Sequence, residues 1–550
     1  MGDKAGSIRA NVVDIAGRRI FAAEIGWAAG VIMRVTEVGD ENPAWPYLIP
    51  GFIDAHVHIE SSLLPPAEFA RLAVRHGTVA AVSDPHEIAN VLGVAGVRWM
   101  LANAAQTPFH ILFGAPSCVP ATGFETAGAR LGVAEVETLL ATPGIGYLSE
   151  VMNFPGVLAG DPDLMAMIAA AQRQGLPVDG HAPGLTGSAA AAYAAAGIGS
   201  DHECSNLAEA EAKLQAGMAI LIREGSAARN FDSLQPLLSR YPGRVMLCTD
   251  DCHPDDLARG HINQLAARAV ALGHDVFAVL QAACLTPQQH YGLALGQLRV
   301  GDPMNAALVD NLRDFTVRAT WLDGQLSAEN GLTCLPPVAC VPVNRFAAQP
   351  VRAEALIAAV NRPAGANFSR VIAAEDGQLL THELHLPVSG PSVADDVLLI
   401  AVVNRYAPAA PAVGLIRGFG LRAGALASSV AHDSHNVIGV GCDAVSLAAA
   451  LNAVIDVQGG LAVVDAEGAS TVLPLPIAGL MSDADGDHVA RLYGELSEAV
   501  RQRLGSPLRA PFMTLSFMAL LVIPELKLSD RGLFDGRRFA FTELACHAAS

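Results

Sequence analysis

Residues 48–62, LIPGFIDAHVHIESS, decide how this chain is read. Side chains alternate along a β-strand, so residues two apart point to the same face. His56 and His58 therefore converge on one point, with Asp54 on the same face. Imidazole nitrogen suits zinc, manganese or iron. The Pro-Gly step and apolar Phe52-Ile53 ahead of the pair describe a strand entering a cavity rather than a solvated sheet edge. The stretch predicts a metal site at a strand end.

Working outward, strand, loop and helix repeat from Leu48 to about residue 250. Eight stretches read as strands: Leu48–Val57, Thr78–Ser83, His110–Gly114, Gly146–Val151, Leu176–Gly180, Ile198–His202, Ala219–Arg223 and Arg244–Thr249. Helical patterns such as Pro66–Arg75, Pro162–Gln174 and Leu207–Ala216 lie between them. Eight such units in about 250 residues match a (β/α)8 TIM barrel, whose active face lies at the carboxyl ends of its strands.

The polar residues fall at those ends. His56 and His58 follow strand one, Asp84, His86 and Glu87 strand two, Glu150 strand four and His181 strand five. His202 and Glu203 follow strand six, Arg223 to Ser226 strand seven, and Asp250 and Asp251 strand eight. His56, His58, Glu150, His181, His202 and Asp250 together suit a two-metal centre with an open position for water. Glu150, with two oxygens, can bridge the pair. Asp250 can both ligate and take the proton of the attacking water, which metals acidify from about 15.7 toward neutrality.

The flanks differ. Residues 1–50 alternate like short antiparallel strands. Residues 298–345 return to the same pattern, beginning with Leu298-Arg299-Val300, so the two are expected to form one small β-sandwich split around a barrel of residues 51–297. Residues 346–550 are expected to form a separate C-terminal α/β domain. Its odd cluster is Ala431-His432-Asp433-Ser434-His435-Asn436, for which a packing or assembly role is expected of His432 and His435.

Composition narrows the partners. Half of the 550 residues are apolar, 16% are charged, and the formal net charge is −19. That balance disfavours nucleic acid and anionic membranes, both of which attract basic patches. No apolar run is long enough to span a bilayer, and the N-terminus lacks the apolar core of a signal peptide. The nine cysteines show no paired spacing, as in a cytoplasmic protein with reduced thiols.

The chain resembles the adenine deaminases of the amidohydrolase superfamily. PGFIDAHVHIESS, SDPHEIANVLG, SEVMNFPGV, DGHAPGL, SDHEC, REGS and TDDCHPDDL carry the likeness, together with HDSHN and LKLSDRGLFDG near the end. The resemblance implies two divalent ions per chain, manganese or iron with zinc as a further choice. It puts His56 and His58 on one ion, His181 and His202 on the other, and Glu150 between them. It makes Asp250, rather than Asp251, the strand-eight aspartate. It implies that water attacks C6 of adenine, giving hypoxanthine and ammonia in purine salvage or catabolism. Glu60 is the expected acid at the ring nitrogen, and Asp84, His86, Arg223 and Ser226 are expected around the purine. A homo-oligomer, dimer or tetramer, is expected. Three other readings remain: an N6-substituted adenine deaminase, another cyclic amidine or amide hydrolase, and a non-catalytic scaffold.

Overall fold

The computed structural model describes residues 4–226, 228–360 and 367–547. Its architecture is mixed α/β. The first three strands, β1 (Gly6–Asp14), β2 (Arg19–Ala28) and β3 (Val31–Asp40), form an antiparallel meander.

The stretch expected as one strand from Leu48 to Val57 is two strands. β4 (Tyr47–Pro50) and β5 (Phe52–Val57) separate at Gly51 and enter different sheets. Gly51 passes so close to the next strand that a Cβ there would lie 2.1 Å from the Val79 side chain. Only glycine allows that approach.

β5 opens a curled parallel sheet. It pairs with β6 (Thr78–Ser83), followed by β7 (His110–Pro116), β8 (Ile145–Val151) and β9 (Val178–Gly180). A second parallel sheet comprises β10 (Ser200–Asp201), β11 (Ala219–Arg223) and β12 (Val245–Cys248). Hydrogen bonds join the sheets at both borders. Gly199 N donates to Val178 O at 2.8 Å, and Asp250 N donates to His56 O at 2.9 Å. The strands are buried on both faces, as parallel strands covered by helices are. Ala55, Val82, Tyr147, Leu221, Met246 and Cys248 pack against one another between them. Each large apolar side chain buried in this way contributes about 1.5–3 kcal/mol.

The chain then returns to the first sheet with β13 (Ala306–Val309), β14 (Val317–Leu322), β15 (Gln325–Glu329) and β16 (Leu332–Thr333). The strands flanking the parallel region thus share one eight-stranded sheet, in the order β16-β15-β14-β13-β4-β1-β2-β3. Trp27 and Trp321 meet across it edge to face, 5.9 Å between centroids. Leu298-Arg299-Val300 is not the strand its sequence predicts. Asp302 captures the Gln297 and Arg299 amides at 2.7 and 3.0 Å, which bends the segment into a turn.

A nine-stranded sheet occupies residues 368–546, with helix Ala444–Asp456 packed on it. Two features aim this region at the parallel strand ends. The HDSHN segment connects strands Ala425–Ser428 and Val437–Gly441. Helix Gly486–Gln502 docks on the helices of the parallel region, where Arg75 meets Asp487 at 2.8 Å and Arg71 meets Asp485 at 3.1 Å. Among the described residues, no helix is long and apolar enough to cross a membrane.

Candidate active site

At the carboxyl ends of the parallel strands the backbone brings carboxylates and imidazoles together out of water. Glu150, the penultimate residue of β8, lies at their centre. Its Oε2 is 2.9 Å from His181 Nδ1 and 3.1 Å from His202 Nε2. Its Oε1 is 3.2 Å from His86 Nδ1 and 3.6 Å from His58 Nε2. Burial alone would raise this carboxyl, but His181, His202 and His86 outweigh it and hold it well below the usual carboxylate range.

Asp250 closes the other side. Its Oδ1 lies 3.4 Å from His56 Nε2 and 3.2 Å from His58 Nε2. Its backbone is left-handed, φ 57°, a conformation aspartate tolerates better than most residues. Asp251 also lines the cavity, but its Oδ1 accepts the Ser61 hydroxyl at 2.5 Å. His56 is fully buried and neither ring nitrogen makes a hydrogen bond among the described residues. It stacks on His202 with centroids 4.2 Å apart. Histidines and carboxylates in interlocking groups, each with donor atoms within 4.8 Å of one another, form a donor set that fits divalent metal. All six residues expected as metal ligands are in this cluster.

Asp54 shares the β5 face but serves the layer beneath. It accepts the Thr249 amide and hydroxyl and sits 2.9 Å from His261 Nε2, tying β5 to β12.

The residues expected around the substrate divide. Asp84 and His86 are at the cluster, with His86 Nδ1 3.0 Å from Asp84 Oδ2. Ser149 donates to the other Asp84 oxygen at 2.7 Å. Arg223 lines the same cavity, but its guanidinium is engaged by two carboxylates, donating to Asp250 Oδ2 at 2.6 Å and to both oxygens of Glu203. Ser226 is not brought to the cluster. Its amide donates to Asp251 O, which carries the loop behind β12, and its hydroxyl donates to Asp256 at 2.6 Å in a neighbouring pocket. Glu60 is buried just beyond His58. Its Oε1 accepts the Ile88 amide at 3.1 Å, Oε2 has no hydrogen-bond partner among the described residues, and burial pushes the carboxyl up to about 7.

The HDSHN segment, for which the sequence suggests a packing or assembly role, reaches the strand ends. His432 and Asp433 line the same cavity as His58 and Glu150. Glu87 holds the segment there: His432 Nδ1 is 2.7 Å from Glu87 Oε1, and His435 Nε2 meets Glu87 Oε2. Leu379, Phe517, Leu520, Val522 and Ile523 supply the apolar wall of the cavity. Lys527 braces that wall from behind, donating to Leu379 O at 2.6 Å and Phe517 O at 3.0 Å. Its full burial pushes the ammonium down to about 7.

Sequence reasoning passed over Glu87, Glu203, His432 and Asp433 as site residues. The first two are neighbours of selected histidines in DPHE and SDHE, so the signal was one position away. The last two had no local signal pointing at the strand ends.

Comparison with known proteins identifies the family. The Amidohydrolase family profile matches residues 47–327, and that of the Adenine deaminase C-terminal domain matches residues 378–540. The chain is 55% identical to the adenine deaminase of Salinibacter ruber, covering 98% of each sequence. It is 52% identical to that of a Sulfurovum species, over 98% of this chain and 99% of the relative. For Methanosarcina mazei adenine deaminase the identity is 47%, over 97% and 98%. At that identity along the whole length, the chain belongs to the adenine deaminase family of amidohydrolases.

Proposed function

We propose that this protein deaminates adenine hydrolytically, giving hypoxanthine and ammonia, at the ends of eight parallel strands that close into one (β/α)8 barrel. The observation that carries the reading is Glu150, one buried carboxylate within 3.6 Å of four imidazoles, in a chain whose full-length relatives are named for this activity. The hydrogen bonds between β5 and residue 250, and between β9 and residue 199, support closure of the barrel. Residues 51–297 form that barrel in this reading. The sheet from residues 1–50 and 298–345 flanks it, and residues 346–550 cover its mouth.

His56, His58, His181, His202, Glu150 and Asp250 would hold two divalent ions, manganese or iron by analogy and zinc by donor chemistry. When bound, such a pair supplies a water acidic enough to act as nucleophile near neutral pH. The chain's own groups do the rest. Asp250 accepts the proton of the attacking water on Oδ1, while Arg223 fixes the opposite oxygen. It passes that proton to the departing amine. Glu60 in its protonated form hydrogen-bonds the ring nitrogen N1 as C6 becomes tetrahedral. The apolar wall excludes water, which strengthens every charge interaction inside.

The cavity also argues for a free base. Arg223 is the one Lys or Arg among the described residues lining it, and two carboxylates already engage it. A phosphate would find no free cation there. We place the protein in the cytoplasm, in purine salvage or catabolism, as a homo-oligomer.

The test is a panel of adenine, N6-methyladenine, adenosine, AMP, guanine and cytosine, followed by absorbance and ammonia release with metal-replete protein. Adenine should be turned over well and adenosine and AMP poorly. Turnover confined to N6-methyladenine would keep the site and change the substrate. An inert panel would end the deaminase reading.

A further inference from the structure

We propose that a third divalent metal ion binds between His86, Glu87, His432 and Asp433, beside the strand-end cluster. Four donor atoms from these residues form a closed ring. His86 Nε2 lies 3.4 Å from Glu87 Oε1, which lies 2.7 Å from His432 Nδ1. His432 Nδ1 is 3.6 Å from Asp433 Oδ1, and Asp433 Oδ1 is 3.9 Å from His86 Nε2. Around a first-row divalent ion, bonds of about 2.0–2.2 Å put neighbouring ligand atoms roughly 2.8–3.6 Å apart. Two of the ring distances, 3.4 and 3.6 Å, fall within that spacing, and the other two, 2.7 and 3.9 Å, lie within 0.3 Å of it.

The burial and hydrogen bonding of these groups argue for a ligand as well. All four residues are at most 4% exposed. Among the described residues, both Glu87 oxygens and Asp433 Oδ2 make no geometrically satisfactory hydrogen bond. Glu87 has His432 and His435 as charge partners, but Asp433 Oδ2 has none among the described residues, and a buried carboxylate oxygen in that state is costly unless it is paired or coordinates a metal. Glu125 faces Asp433, and burial together with Asp433 pushes its carboxyl up to about 8, so it is mostly neutral near pH 7 and offers Asp433 no countercharge. No Lys or Arg lies within ion-pair distance of Glu87 or Asp433 among the described residues.

The support around the ring also resembles that of a metal site. A metal-bound histidine usually turns its other ring nitrogen to a carboxylate, which fixes its orientation. His86 does so, with Nδ1 3.0 Å from Asp84 Oδ2 and 3.2 Å from Glu150 Oε1. It thereby links the third site to the central carboxylate. Phe517 stacks on the His432 ring, with centroids 5.1 Å apart, and sets its plane. His435 contacts the second Glu87 oxygen and aims the first into the ring. Two imidazole nitrogens and two carboxylate oxygens suit manganese, iron or zinc.

The test loads metal-stripped protein with Mn2+ alone, removes free ion, and counts bound manganese by elemental analysis. The variant is His432→Gln with Asp433→Asn, which leaves every strand-end ligand in place. Three ions per chain are expected for the wild type and two for the variant. Crystals of the Mn2+-loaded wild type should also give an anomalous peak inside the ring, a measurement that stands even if the variant does not fold. Equal counts in wild type and folded variant, or an anomalous map with peaks only at the strand ends, would overturn the proposal. A map with a peak in the ring but none at His56 and His58 would instead refute the two-ion centre.

Discussion

The molecule buries two pairs of close-spaced histidines, and they are held in opposite ways. His56 and His58 sit at the end of a parallel strand and meet carboxylates delivered by other strands, Asp250 from β12 and Glu150 from β8. His432 and His435 sit in a connection between antiparallel strands almost four hundred residues later and share one carboxylate of the parallel region, Glu87. The first pair is aimed by the two-residue period of its own strand. The second is aimed by the docking of one region on another. One pair therefore belongs to the scaffold, whereas the other is present only when the C-terminal region is seated.

The largest effect that can break this comparison is at the scaffold pair. His56→Ala with His58→Ala should abolish turnover and lower bound metal while the fold survives, read by elemental analysis and circular dichroism. Full metal content in that variant would remove the cluster from consideration. Next is the aspartate facing the pair. Asp250→Asn should lower turnover at least about a hundredfold, the range of a lost acid–base group. Asp251→Asn should cost much less, because that carboxylate faces Ser61. A reversed order would move the catalytic role to Asp251.

A smaller effect is expected at the tail pair. Glu87→Gln should cost about 1–3 kcal/mol, the penalty of a buried group left without its partner. Because His432 lines the cavity, it should also lower turnover. A stability loss with turnover per folded molecule unchanged would return the tail histidines to a packing role.

The smallest effect lies behind the cavity wall. Burial lowers Lys527 from 10.5 to about 7, so between those values the folded state holds fewer protons than the unfolded chain. Stability contributed at this site therefore rises with pH through that window. The thermal midpoint of wild type relative to Lys527→Met should increase from pH 7 to pH 9. A difference that stays constant with pH would mean that Lys527 titrates normally.

Much of the parallel region was legible in the sequence, because its signals are local. Thr78–Ser83 and Ala219–Arg223 have the same bounds in sequence and structure. His56 and His58, Glu150, His181, His202 and Asp250 each lie at or just past the end of a strand and meet at one end of the parallel region. What was illegible is tertiary. The break at Gly51 depends on how closely Val79 approaches. Ser226 faces Asp256 because the Asp251 carbonyl draws its loop behind β12. Glu203 looks like a loop residue until Arg223 is seen to bind it. The HDSHN segment carries no periodicity that points at strand ends so much earlier in the chain.

The central claim is that this buried cluster hydrolyses the exocyclic C–N bond of adenine. Mass spectrometry of the product formed from adenine in 18O-labelled water, with ammonia measured in the same reaction, tests it most directly. Metal-replete protein should give hypoxanthine carrying one solvent oxygen and one ammonia per hypoxanthine, and His56→Ala with His58→Ala should give neither. Unlabelled product, or no ammonia from a fully loaded enzyme, would contradict the account.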